Sequence, residues 1–162
     1  MSVTINGTTG ITTVDLTASG DVSAVDITAS GALAVTGNIT ASGGVAVTGT
    51  ITASGDIDVS GAATGTITTD NDLSFDMSAG NNFKCTPAAT GTLTFTNITS
   101  GQSGNIWLDN SGGYAISAAA TTYIAAADLT AISTAGIYFL SYYSDGTNVV
   151  VSGSQALTSG GA

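Results

Sequence analysis

Large aliphatic residues recur at a fixed interval along the first part of this chain. Ile27, Leu33, Ile39, Val45, Ile51 and Ile57 are each six positions apart. Ile5 to Ile11 and Leu16 to Val22 keep the same step, with two five-residue steps between these pairs and Ile27. The pattern fades at Ala63, and Ile67 and Leu73 repeat it once more. Two places after each aliphatic, a second column alternates Ala29, Val35, Ala41, Val47, Ala53, Val59. Four places after it stands a glycine, from Gly31 through Gly61. Residues i and i+2 of a strand share a face, so both columns point one way and the residue between them points outward. Glycine, free to take positive φ, is expected to turn the backbone. Strand, bend and strand in repetition predict a β-solenoid.

A triangular coil closed by one chain needs three hexads, about eighteen residues, so residues 16–62 would complete fewer than three coils. Such a stack would stand only about 14 Å tall at one strand spacing per layer, with unpaired strands at both ends. Three intertwined chains avoid this. Each gives one side of every layer, and nine hexads then build a shaft on the order of 40 Å. The expected trimer core is Ile27, Leu33, Val35, Ile39, Val45, Val47, Ile51, Ile57 and Val59. A single-chain β-meander with regular turns is the competing arrangement.

Beyond the repeat the texture changes. Residues 70–77 alternate, with Leu73, Phe75 and Met77 on one side and Asp70, Asp72 and Asp76 on the other, the pattern of a half-buried strand. Thr92–Thr96, Asn105–Leu108 and Tyr114–Ile116 read as short strands. Ile137–Tyr143 is apolar enough to pack on both faces. Asp145-Gly146 marks a hairpin turn. Ala118–Ala127 reads as a helical turn, opposed by Thr121 and Thr122. The expected architecture is all-β: an N-terminal segment (1–15), a solenoid shaft (16–69), an antiparallel sandwich or knob (70–154) and a Gly/Ser-rich tail (155–162).

Composition supports strands and restricts chemistry. Only 7% of residues are charged, against about a quarter in ordinary soluble domains. Thr, Val and Ile favour strands, and Gly, Ser and Asn favour turns. The acidic residues are all Asp, the net charge is −10, and Lys84 is the single base. Phosphate neutralisation by a basic patch is therefore excluded, and no nucleic-acid partner is expected. No apolar run is long enough to insert into a membrane as a helix. The start, Met1–Gly7, lacks the basic and apolar parts of a secretory leader.

With no His or Glu and one Lys, a Ser-His-Asp or Cys-His arrangement cannot be built. No catalytic residue, metal ligand set or cofactor is expected. Asp56/Asp58 and Asp70/Asp72/Asp76 are the sets available for glycan hydrolysis or Ca²⁺, weighed against an ordinary solvated strand face. Asn6, Asn38 and Asn97 begin N-glycosylation triplets, which matter only in a glycosylating pathway. Cys85, the sole cysteine, reads as a small core residue beside Lys84. Trp107, Tyr114, Tyr123 and Tyr142 are candidate receptor contacts, since aromatic faces stack on sugars and dominate interfaces. The competing assignment for them, and for Tyr138 and Tyr143, is the core of the end domain.

The Ile-Thr-Ala-Ser-Gly and Val-Thr-Gly units resemble the shafts of fibre and appendage proteins of marine and cyanobacterial phages. Val3–Gly10, Thr92–Phe95, Gly136–Leu140 and Ser144–Asn148 are similar to segments of the same proteins. The resemblance implies a homotrimer on the virion surface that contacts other capsid or tail proteins. It also implies a tip that meets a host glycan or receptor. With about fifteen residues before the regular repeat, a short head fibre or capsid decoration is the closer expectation than a full tail fibre. A weaker resemblance, to bactofilin-like filament proteins, implies end-to-end polymerisation instead.

Overall fold

A computed structural model describes residues 32–159. The first fifteen residues, the earlier hexads and Ile27 lie outside the described residues. The chain divides into two units, Met1–Gly55 and Asp56–Ala162.

In the repeat the backbone bends at residues 36–37, 42–43, 48–49, 54–55 and 60–61, with extended stretches between. The six-residue period of the sequence is thus a period of the backbone. No strand is formed between residues 32 and 66: among the described residues no strand pairs with these extended stretches. The bends do not use left-handed backbone. Among the described residues the glycines of positive φ are Gly80, Gly101, Gly113 and Gly146, all beyond the repeat. The expected role of the repeat glycines is therefore corrected: what they contribute is the absence of a side chain. A Cβ added at Gly37, Gly43, Gly49, Gly55 or Gly61 would meet nothing within 4 Å.

The second unit is β-rich, not purely β. Its strands are β1 (Ile67–Thr69), β2 (Ser74–Asp76), β3 (Asn82–Cys85), β4 (Gly91–Thr96), β5 (Ser103–Asn110), β6 (Ile116–Ala118), β7 (Thr122–Ile124), β8 (Gly136–Ser144) and β9 (Val149–Gly153). One α-helix, α1 (Ala126–Ile132), falls between β7 and β8. They form a six-stranded sheet, β1-β3-β5-β8-β9-β7, and a three-stranded sheet, β2-β4-β6. From β1 to β7 the chain alternates between the two sheets. Same-sheet neighbours are therefore parallel along β1-β3-β5 and β2-β4-β6. β7 also lies parallel to β9, and among the named strands only β5-β8 and β8-β9 pair antiparallel. The expected antiparallel sandwich is thus replaced by mixed sheets, because a chain that crosses to the other layer after every strand returns in the same direction.

β1 belongs to the stretch expected as the end of the shaft, yet it is hydrogen-bonded into the six-stranded sheet. The helical turn expected at Ala118–Ala127 lies further on, since Thr122–Ile124 take the strand β7.

The core lies between the sheets. Leu73, Phe75, Met77, Leu93, Phe95 and Ile116 meet Phe83, Cys85, Ile106, Leu108, Tyr138, Leu140, Tyr142, Val149 and Val151, with Ile132 of α1 at one end. Phe75 stacks tilted on Phe83 at 5.1 Å and on Phe95 at 5.7 Å, and Tyr142 closes the ring at 5.3 Å from Phe95. Such tilted pairs add about 0.5–1.5 kcal/mol each beyond their area. Leu73 takes φ 68° to turn the chain into β2. Asn110 is buried. Its amide donates to the Tyr114 carbonyl at 2.9 Å and the Ile132 carbonyl at 2.8 Å, and its Oδ1 accepts from the Tyr114 amide. One side chain thereby ties the β5–β6 loop to the end of α1.

Candidate functional site

Of the residues named for a shared core, Leu33, Ile39, Val45, Ile51 and Ile57 are the most exposed aliphatics among the described residues. They expose 67–75% of their surface, and Val35, Val47 and Val59 about half. A single-chain coil would have turned these columns inward. In each described hexad the aliphatic stands at the same phase of the bend, within a stretch (32–67) where every residue is exposed.

Covering an aliphatic side chain of this size stabilises by about 1.5–3 kcal/mol. The repeat therefore holds a long row of unspent burial, arranged with the regularity a matching row requires. No charge interrupts residues 33–55, so nothing along that row resists desolvation.

Asp56 and Asp58 lie exposed in the repeat, whereas the set Asp70, Asp72 and Asp76 serves local structure. Asp72 Oδ1 accepts from the Ser74 amide at 2.8 Å. Asp76 Oδ1 accepts from the Ser78 amide at 2.9 Å, the Ser78 hydroxyl at 2.7 Å and the Asn97 amide at 2.8 Å. These bonds, that from Asn97 first, hold the Asp76 carboxyl below its ordinary range. Burial and its neighbour Asp72 push Asp70 up, while the bonds from Asp70 and Ser74 pull Asp72 down. Each carboxylate is thus committed to a turn on the exposed edge. Among the described residues no three Cys or Asp side chains converge as a metal site would need. Cys85 is fully buried, and burial pushes its thiol up to about 11, which leaves it protonated and unreactive at neutral pH.

The candidate receptor aromatics separate into two groups. Tyr142 faces the core, its hydroxyl donating to the Asn81 carbonyl at 3.0 Å. It is withdrawn as a surface contact, because β8 alternates and Tyr142 shares parity with Tyr138 and Leu140. Tyr114 is half-buried beside Asn110. Trp107 and Tyr123 are exposed. The expectation that Ile137–Tyr143 packs on both faces is also corrected: Phe139 and Tyr143 are exposed on the outer side.

Sequence reasoning missed how these outward residues line up. Trp107 lies directly across from Phe139 and beside Lys84, while Tyr143, Val150 and Tyr123 form a second row. A groove of about 580 Å³ opens along Ile67, Asn82, Lys84, Asn105, Trp107 and Phe139. The signal was present as apolar residues at both parities of β8, but naming the neighbours required the register.

Two features thus stand out: a β-rich domain and, before it in the chain, a periodic, uncovered apolar row. Compared with known families, curated proteins and solved structures, the chain matches none.

Proposed function

We propose that this chain is a structural protein of a bacteriophage particle, a short trimeric fibre or capsid (head) decoration protein. The repeats of three copies would cover one another as a shaft, and the β-rich domain would serve as tip or anchor. The observation that carries the reading is the row from Leu33 to Ile57, exposed at the same phase of every bend. Unpaired extended stretches and uncovered aliphatics are both relieved by a neighbouring copy in register. The open space around Gly37, Gly43, Gly49 and Gly55 leaves room for backbones to approach closely.

The remaining chemistry fits a structural role. Asp72 and Asp76 cap turns, the thiol is buried, and the chain has no His or Glu. The phage assignment rests on the resemblance of the repeat and end-domain segments to phage appendages. Partners on this reading are two further copies, neighbouring virion proteins and a host-surface glycan or receptor.

Immunogold labelling of particles and cells that produce the protein tests the reading. Gold at the surface of virions is expected. Gold along intracellular or extracellular filaments, with bare virions, would refute it and favour the polymer.

A further inference from the structure

We infer that the outer face of the six-stranded sheet is a second contact surface, and that its occupant is another copy of this chain. Three observations converge on it.

The first is the pattern of β8. An antiparallel strand with one wet face normally alternates apolar with polar residues. The buried side of β8 carries Tyr138, Leu140 and Tyr142, yet its outer side carries Ile137, Phe139 and Tyr143, broken only by Ser141. Trp107 across from Phe139, and Val150 across from Tyr143, extend the apolar surface over neighbouring strands. Such a face is built to be covered.

The second is charge. The chain carries −10, so two copies repel over most of their surfaces. Among the outward positions of the six strands the charges are Lys84 and Asp109 alone, which cancel. A copy of the same acidic chain can approach most closely here.

The third is position along the chain. β1 follows the last bend of the repeat, at residues 60–61, by a few residues, and its exposed Ile67 opens the groove that Trp107 and Phe139 continue. Copies joined through the repeat would hold their end domains at high effective concentration. A contact too small to hold alone would then form. In this respect the inference rests on the shared-shaft reading.

Trp107 is the one tryptophan, so its fluorescence reports on this face alone. The full-length chain and its Phe139→Asp variant are compared by acrylamide quenching, with solution mass recorded on the same samples. In assembled wild type, quenching is expected to fall several-fold below that of free indole, with blue-shifted emission. In Phe139→Asp, which sets a carboxylate in the neutral face, quenching is expected to rise toward the free value while the shaft still holds three copies. An assembly of three wild-type copies with fully quenchable Trp107 would overturn this inference and leave the shaft reading standing. A monomer with quenchable Trp107 would overturn both. Shielding that appears only on adding an acidic oligosaccharide would overturn it in favour of a ligand groove.

Discussion

Truncating one repeat aliphatic separates a covered row from a bare one. Ile51 retains 68% of its surface in the single chain. Burying a whole isoleucine side chain stabilises by about 1.5–3 kcal/mol, so covering the remaining two-thirds amounts to roughly 1–2 kcal/mol per copy. On the proposed three-chain shaft, Ile51→Ala would forfeit most of this in each chain, about 3–6 kcal/mol per assembly. At about 1.4 kcal/mol per tenfold, dissociation strengthens roughly a hundred- to ten-thousandfold. Sedimentation equilibrium across a range of concentrations reads the change directly. Thr52→Ala, at the neighbouring position that would point away from the shared core of the proposed shaft, is the control and should leave the association within about 0.5 kcal/mol. The reasoning is refuted if Ile51→Ala and Thr52→Ala give the same association constant, since an uncovered isoleucine and an uncovered threonine are equally dispensable.

Further predictions concern the β-rich domain. Asn110→Ala should cost about 2–4 kcal/mol, because it removes three hydrogen bonds and strands the buried Ile132 carbonyl; thermal denaturation should fall by roughly 10 °C or more. Gly104→Ala should destabilise by about 1–3 kcal/mol, because the added methyl runs into the Asn81 carbonyl and the Tyr142 hydroxyl; chemical denaturation would show it as a lower midpoint at unchanged slope. Asp76 and Asp145 are both held below the ordinary carboxylate range, Asp145 by bonds from the Asn148 and Thr147 amides. Their stabilisation is full above the unfolded carboxylate pKa and is lost as pH falls through their lowered folded values. Asp70, pushed up by burial, acts in the opposite sense and offsets part of this. Melting temperature should therefore decline below about pH 4, and the double variant Asp76→Asn, Asp145→Asn should flatten the decline.

The period of six was legible in the sequence because it needs only local spacing, and the backbone bends keep it. Inward positions were legible too: Leu73, Phe75, Met77, Leu93 and Phe95 are all buried. The pairing of the strands was not. Parallel neighbours such as β3 and β5 lie some twenty residues apart, and no local alternation records which layer a strand joins. The helix was misplaced because the alanines of 118–127 suit either state, and the tertiary demand for β7 settled Thr122–Ile124 as strand. Residue type left Tyr142 open between receptor contact and core, and its parity with Tyr138 and Leu140 on β8 decides for the core. The outer row of Trp107, Phe139 and Lys84 depends on register across three strands, which single-strand patterns do not carry.

The central claim is that the exposed aliphatic row of the repeat is covered by further copies of the same chain. Light scattering after size exclusion on the full chain tests it most directly. The account predicts a closed species at three times the 15.7 kDa of one chain. A folded monomer whose mass stays constant as concentration rises would contradict it.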